Sequence, residues 1–213
     1  MKQQIIKLSI LAGVALRKGN FAETYKITLQ MLPLIEKVGG KGCFEAIVTH
    51  EHLGDCCIQM KKPAQAIPHY LKLCELREGS KRTTVKELLS AYDSLINAYH
   101  KADRHAECLV YNKKELDLHL KQPSDAQDLT RIAHLHNNMA IKLLELNDNR
   151  AEEALSYFKK AIQLFLQIKP LNVDVLAKTK LSYENVLEAF KNDLPPEVLL
   201  EHQKWLAAFM QQN

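Results

Sequence analysis

The 213-residue sequence is poor in the residues that break helices and in the motifs that mark common catalytic sites. It contains only 7 glycines and 7 prolines and no low-complexity tract, which argues against a disordered linker. No segment alternates steadily between apolar and polar residues, so β-structure is not expected. A phosphate-binding loop, a G-x-S-x-G elbow and a dinucleotide fingerprint are all absent. We therefore predict a helical protein that is not an enzyme and needs no cofactor.

A long hydrophobic run is also missing. The longest apolar run near the start, Leu8 to Leu16, is interrupted by Ser9 and is much shorter than the roughly 18–20 residues of a membrane-spanning helix. Two lysines precede this run, so a signal peptide is one interpretation. We favour the first helix of a repeat, because Leu8, Leu11 and Ala15 share one helical face.

Cysteines are few and do not form a disulfide framework. There are five of them, and an odd number without framework spacing favours a reducing compartment. Cys57 and Cys108 occupy positions that we assign to a core, where cysteine acts as a small hydrophobic residue. The sequence therefore predicts a cytoplasmic location.

The stretch from His50 to Leu76 organises the rest of the chain. It reads as a helix, a tight turn and a second helix. Leu53, Gly54 and Cys57 provide a large residue, a small one and a filler on the first helix. Ala66 and Tyr70 are four residues apart on the second helix, so they share one face.

This unit recurs along the chain. The small residue of each first helix corresponds to Ala12, Gly54, Ile96 and Ala140, with spacings of 42, 42 and 44 residues. Regular self-similarity with a period of about 20–50 residues is typical of a solenoid. The fourth repeat needs two extra turn residues, around Asn147-Asp148. Repeat one matches least well, with Thr24 and Thr28 at the second-helix positions.

The repeated pattern resembles the tetratricopeptide-repeat family. The large-small pair Leu53-Gly54, followed by Ala66 and Tyr70, is similar to that family's L-G-x-x-Y…A-x-x-x-F layout. The long period resembles the kinesin light chain and Pins-type adaptor class, and Asn137 to Ala140 is similar to that class's N-N-L-A motif. The resemblance implies an all-α, right-handed solenoid of four helix pairs followed by a degenerate C-terminal capping pair.

We expect one domain over residues 1–213. Its repeats are predicted at about 5–40, 47–80, 89–122 and 133–169, with capping helices over 173–211. The predicted helices cover residues 3–18, 21–38, 43–60, 63–78, 84–101, 104–121, 125–146, 150–169, 173–191 and 196–211.

Several residues mark the predicted helix ends. Thr84 to Glu87 and Ser124 to Gln127 have the pattern of capping boxes. Gly39-Gly40 and Gly79 are expected to be C-terminal caps. Pro196 suits the first turn of the last helix.

The last predicted helix carries Trp205 and Phe209. A solenoid end must be covered, so we interpret these aromatic residues as part of a cap. The alternative is that they form a homodimer contact through the C-terminal helix.

The resemblance implies a concave groove lined by the first helices of the repeats. Positions one turn either side of the small residue share one helical face. The candidate residues of this peptide- or protein-binding groove are Arg17, Glu51, Asp55, Gln59, Asp93, Asn97, Lys101, Asn137, Ile141 and Glu145.

The charges of this groove predict the kind of partner. Acidic residues outnumber basic ones, and the lysine, asparagine and arginine set of a chaperone-tail clamp is missing, so we expect a basic or neutral peptide segment. Asn97 and Asn137 can hold an extended peptide by its backbone. The alternative is a solvated polar face on which the asparagines connect adjacent helices.

A second set of residues is basic. Lys72, Lys113-Lys114 and Lys159-Lys160 occupy equivalent points on second helices and are expected to form a convex ridge. The net charge is only +4, and no RNA-binding motif accompanies the ridge, which argues against a nucleic-acid partner. A vesicle-trafficking or membrane-associated adaptor is one alternative function, and a sensor of a short signalling peptide is another.

The stretch His50-Glu51-His52 followed by Cys56 invites a metal-site interpretation. His50 and His52 diverge by about 200° around a helix, and no third or fourth ligand accompanies His52 and Cys56. We predict structural or solvent-facing histidines and no metal.

Overall fold

The computed structural model describes residues 1–123, 127–146, 150–170 and 172–212. This part of the chain forms ten helices and no strand, which confirms the predicted all-α fold. The helices are α1 (Lys2–Arg17), α2 (Phe21–Gly39), α3 (Phe44–Gln59), α4 (Pro63–Gly79), α5 (Val85–Lys101), α6 (His105–Leu120), α7 (Leu129–Glu145), α8 (Ala151–Gln167), α9 (Val173–Ala189) and α10 (Pro196–Gln212). Among the described helices, none is both long and apolar enough to cross a bilayer.

Local capping explains several helix ends. The Thr84 side chain accepts a hydrogen bond from the Glu87 backbone N–H, and the Glu87 carboxylate accepts one from the Thr84 backbone N–H, so the predicted capping box is confirmed. Gly40 ends α2 with φ +87°, a conformation that glycine adopts without steric cost. Pro196 starts α10 as predicted.

Two predicted ends differ from the structure. Helix α7 begins at Leu129, not near residue 125, because the Asp128 side chain accepts the backbone N–H of Arg131 at 2.9 Å and caps the helix there. Ser124, the start of the other predicted capping box, lies outside the described residues. Gly79 belongs to α4, and Ser80 ends that helix in an extended conformation, so no left-handed cap is needed.

The chain divides into two compact units, residues 1–111 and 112–213, and the boundary falls within α6. The first unit contains repeats one and two, helix α5 and the start of α6. The second contains the remainder of α6, repeat four and the capping pair. The prediction of a single domain stays a prediction.

In the first unit, α1 packs on α2, α2 on α3, α3 on α4, and α4 on α5. Leu53, Leu73 and Leu95 are fully buried between these helices. Leu11 is the counterpart of Leu53 one period earlier, yet it is 46% exposed. The contacts explain this difference, since α3 packs against both α2 and α4, whereas α1 packs against α2.

The turns inside the first three repeats share one backbone feature. Gly19, Lys61 and Asp103 have φ of +70°, +58° and +54°, and they are 42 residues apart. Each therefore takes the left-handed conformation at the same point of its repeat, two residues before the second helix begins. The corresponding turn of repeat four, which includes the two extra residues near Asn147-Asp148, lies outside the described residues.

In the second unit, α7 packs on α8 and α8 on α9. Ala133, Ala161 and Phe165 form a buried cluster between these helices. Helix α10 packs on α9 through Tyr183, whose hydroxyl lies 2.6 Å from His202 Nδ1 and whose ring centroid lies 5.2 Å from that of Trp205.

Candidate functional site

The first unit carries seven of the predicted groove residues on three first helices. Six side chains are exposed and one, Glu51, is half-buried. Helix α1 provides Arg17, α3 provides Glu51, Asp55 and Gln59, and α5 provides Asp93, Asn97 and Lys101.

A pocket of about 510 Å³ lies between α1, α2 and α3. Its volume is within the range of about 300–1,000 Å³ that is typical of small-molecule sites. Asp55 and Gln59 of the predicted groove are among its walls. The lining residues are Ser9, Ala12, Gly13, Leu16, Phe21, Thr24, Thr28, Met31, His52, Asp55, Cys56 and Gln59.

Asp55 connects this pocket to the second helix of its own repeat. The Tyr70 hydroxyl donates a hydrogen bond of 2.6 Å to Asp55 Oδ1. Burial of the Tyr70 ring and its hydrogen bond to this carboxylate both raise the pKa of Tyr70, so the phenol stays a hydrogen-bond donor. The Asp55 side chain is therefore held in place while its residue stays exposed to solvent.

Gly54 lets the Tyr70 ring approach α3 closely. A Cβ atom on Gly54 would lie 2.4 Å from Tyr70 Cε1, well inside van der Waals contact. Glycine is therefore needed at position 54 because the Tyr70 ring packs directly against it.

The carboxylate of Glu51 is paired within the protein. Its Oε2 lies 3.0 Å from Nη2 of Arg77 on α4, and Nη1 of the same guanidinium lies 3.7 Å from Glu87 on α5. Because Arg77 partly neutralises the Glu51 carboxylate, Glu51 attracts a basic ligand less strongly than an unpaired carboxylate would.

The second unit carries the other three predicted groove residues, all on α7. Asn137 is half-buried, and Ile141 is exposed. Glu145 is exposed and accepts a hydrogen bond of 2.5 Å from Lys142 Nζ.

The histidines of α3 lie on different faces. His50 is buried with its ring centroid 5.9 Å from that of His69, and the Tyr25 hydroxyl lies 3.1 Å from His69 Nε2. Burial is the main cause that lowers the pKa of both His50 and His69. His52 is exposed on the wall of the pocket. Within the described residues, no three His, Cys, Asp or Glu side chains are placed to hold a metal ion.

Several lysines of the predicted basic ridge have partners within their own unit. In the first unit, Lys72 Nζ lies 2.8 Å from Glu75. In the second, Lys159 Nζ lies 3.2 Å from Glu201 and Lys160 Nζ lies 5.5 Å from the Tyr157 ring centroid. These contacts favour a solvated, internally paired face.

At the C-terminal end, Phe209 is buried and Trp205 is half-buried. Trp205 contacts Tyr183 and lies beneath the Lys159 ammonium, 5.6 Å from the ring centroid. Both rings thus take part in packing within the second unit. The predicted homodimer contact stays a prediction.

The sequence did not indicate the pocket. Thr24 and Thr28 stood out only as poor matches to the repeat, and the structure places both on the pocket wall. The feature of the sequence that could have indicated the pocket is Thr28, which stands in repeat one where repeat two has the large residue Tyr70.

This architecture is that of the tetratricopeptide-like helical-repeat proteins. A kinesin light chain of Podosopora anserina with nearly identical TPR-like repeats has a similar structure, with a TM-score of 0.61 and 12% identity over 100% of this chain and 99% of that one. The apo form of RapI is similar with a TM-score of 0.60 and 13% identity over 97% of this chain and 71% of that one. BtubC (BKLC) from P. vanneervenii gives a TM-score of 0.54 and 15% identity over 83% of this chain and 63% of that one.

The sequence comparisons add no relatives. No family model matches the chain, and no curated protein matches it in sequence. The similarity is therefore one of fold.

Proposed function

We propose that the protein is a protein-interaction module that binds an extended, basic or neutral peptide segment along α1, α3 and α5, the first helices of the repeats in its first unit. The observation that carries this proposal is the pocket between α1, α2 and α3, because predicted groove residues line it. A fold of stacked helix pairs supports the proposal, since such folds use extended surfaces for binding.

The exposed polar residues of the first unit support the kind of ligand. Asp55 on α3 and Asp93 on α5 are both exposed and favour a basic side chain. Asn97 on α5 is exposed as well, and its amide provides both a donor and an acceptor for a peptide backbone. Binding requires no chemical conversion of the ligand, so the proposed role is non-enzymatic.

The proposal is tested by selecting peptides from a phage-displayed library of random 12-residue sequences and measuring the affinity of the synthetic peptides by fluorescence anisotropy. We expect selected peptides to carry lysine or arginine. The double variant Asp55→Lys and Asp93→Lys should weaken their binding at least tenfold, roughly the effect of placing like charges at an interface. The milder variant Asp55→Asn keeps an acceptor for the Tyr70 hydroxyl and should weaken binding less.

A matched control makes the same change of charge on second helices. Glu75→Lys with Glu107→Lys alters α4 and α6 by the same net charge and should leave the affinity within about twofold, because long-range charge effects are screened within about 10 Å at 0.1 M salt. Unchanged affinity in the Asp55 and Asp93 variant, with its helix content and melting temperature intact, would refute binding along the first helices.

The two alternative functions predict different results. A membrane-associated adaptor would co-sediment with vesicles containing phosphatidylserine, and this binding would disappear when Lys113 and Lys114 are both replaced by glutamate. A sensor of a short signalling peptide would bind the free peptide with a large increase in melting temperature.

A further inference from the structure

The 42-residue period reveals one unfilled position in repeat one. It relates Tyr70 of α4 to Thr28 of α2, and Gly54 of α3 to Ala12 of α1. In repeat two the Tyr70 ring fills the space above Gly54 and is only 2% exposed. Repeat one has small residues at both positions, so its own side chains cannot fill the equivalent space.

The other repeats place at least one large residue at this pair of positions. Repeat four combines Ala140 with Phe158, which is fully buried. In the sequence of repeat three, Ile96 replaces the small first-helix residue. The pairing of two small residues is therefore peculiar to repeat one.

The pocket between α1, α2 and α3 lies at this unfilled position. Ala12 and Thr28 both line it, and so does Gly13, the counterpart of Asp55 one period earlier. Repeat one thus lacks both members of the Tyr70–Asp55 hydrogen-bonded pair that closes repeat two. The pocket follows from these replacements.

The lining of the pocket matches an aromatic ring with a polar edge. Leu16, Phe21 and Met31 provide apolar contact area, and aromatic side chains bury the most area per residue. His52 and Gln59 supply hydrogen-bonding groups at the wall. Asp55 adds a negative charge on the α3 side, which is complementary to a basic residue next to the ring.

We propose that this pocket holds one aromatic side chain, tyrosine or phenylalanine, of the bound peptide. The ring of the partner takes the place in repeat one that Tyr70 occupies in repeat two and Phe158 in repeat four. This inference rests on the proposed function, because it names the anchor residue of the same peptide. A lysine or arginine beside that anchor lies against Asp55.

The first experiment needs no peptide partner. N-acetyl-L-tyrosinamide, N-acetyl-L-phenylalaninamide, N-acetyl-L-leucinamide and N-acetyl-L-lysinamide are compared as probes by saturation-transfer NMR with the full chain. We expect the two aromatic probes to bind and to give at least threefold more transfer than the other two. Equal transfer from all four probes would overturn the proposal.

Two variants fill the pocket from opposite walls. Thr28→Phe places on α2 the kind of aromatic residue that repeats two and four have at this position. Gly13→Leu adds a side chain on α1, where a Cβ meets nothing closer than Arg17 Nη1 at 3.8 Å. Each should abolish the transfer to the aromatic probes. The control Thr130→Phe makes the same substitution at an exposed position of α7 and should change nothing.

Thr28→Phe should also raise the melting temperature, because it fills a void that the wild-type protein leaves open. If this variant fails to fold, Gly13→Leu carries the test. Aromatic transfer that survives in a folded pocket-filling variant would place the ring elsewhere and refute the proposal.

The peptide experiment separates this inference from the proposed function. In a selected peptide, alanine in place of its aromatic residue should weaken binding to the wild type at least tenfold and have no effect on the residual binding to Thr28→Phe. If peptides bind in a manner that depends on Asp55 but not on Thr28, the function stands and the aromatic anchor is wrong. If the aromatic probes bind while no peptide is selected, the pocket assignment stands and peptide binding fails.

Discussion

At the residue scale, Gly54 is the position where side-chain size matters most. A Cβ at this residue would lie 2.4 Å from Cε1 of the Tyr70 ring and 2.7 Å from two further ring atoms. Tyr70 cannot move freely, because its ring is buried and its hydroxyl is bonded to Asp55. We expect Gly54→Ala to lower the free energy of unfolding by about 1–3 kcal/mol, the usual cost of overpacking, as measured by urea denaturation.

Gly13→Ala is the matched control for this prediction. Gly13 also lies within a helix, but a Cβ there has room. The substitution should raise the free energy of unfolding by about 0.5–1 kcal/mol, because alanine favours a helix over glycine by that amount. Equal effects of the two substitutions would show that helix propensity, and not the Tyr70 ring, determines the stability at Gly54.

At the element scale, the contact of α7 with α8 buries a histidine. His136 is buried, its ring centroid lies 5.6 Å from that of Tyr157, and no hydrogen-bond partner is found for its Nδ1 among the described residues. Burial, with a smaller effect from the Lys160 ammonium, lowers the pKa of His136 to about 4. The folded protein therefore keeps this ring neutral at pH values where the unfolded chain protonates it.

The pH dependence of stability follows from this depressed pKa. Below the ordinary histidine pKa of 6.5, the unfolded state binds a proton that the folded state does not, so the free energy of unfolding falls as the pH is lowered to about 4 and then levels. The contribution of His136 is at most roughly 3–4 kcal/mol, since each pKa unit corresponds to about 1.4 kcal/mol.

Denaturation curves between pH 7 and pH 4.5 measure this effect. His136→Phe removes the titrating group and should make the dependence on pH shallower than in the wild type. Part of the dependence should stay, because burial also lowers the pKa of His50, His69 and His202. A His136→Phe curve that is parallel to the wild-type curve would contradict the assignment.

At the scale of the whole molecule, the cysteines report on one of the two units. None of the five forms a disulfide, and all lie within residues 1–111. Cys43 is half-buried and the other four are buried. Burial is the main cause that raises the pKa of Cys56, and it raises the pKa of Cys57 to about 11. These two thiols are therefore unreactive both because reagents cannot reach them and because little of the reactive thiolate forms.

We expect DTNB at pH 7.5 to modify one thiol rapidly in the native protein and all five in denaturant. Cys43→Ser should abolish the rapid phase. The slow reaction of the other four should follow the opening of the first unit, because a buried thiol reacts only when its surroundings unfold. Two or more rapidly reacting thiols in the native protein would show that the packing of the first unit is looser than the structure describes.

Much of the element order could be predicted from the sequence. The bounds of α2, α4 and α5 agree with the predictions within one residue, since capping residues and turns act over a few positions along the chain. Helix α7 begins four residues later than the prediction of residue 125, because Asp128 is the residue that caps it.

The family resemblance and helical periodicity together predict which residues face the groove, and in the first unit all of these residues but Glu51 are exposed. Their partners could not be predicted in this way. The ion pair between Glu51 and Arg77 and the hydrogen bond between Tyr70 and Asp55 join residues 26 and 15 positions apart. Such contacts depend on how far one helix is rotated and shifted against another.

The sequence by itself determined that the chain forms repeated helix pairs, because the helical period, the caps and the 42-residue spacing are all properties of local order. Only the tertiary structure decided that the weak match of repeat one to the repeat pattern creates a pocket. A threonine in place of an aromatic residue leaves a pocket only if the facing helix does not compensate, and Ala12 and Gly13 do not. Whether a space is filled depends on side chains from three helices at once, which no single stretch of sequence specifies.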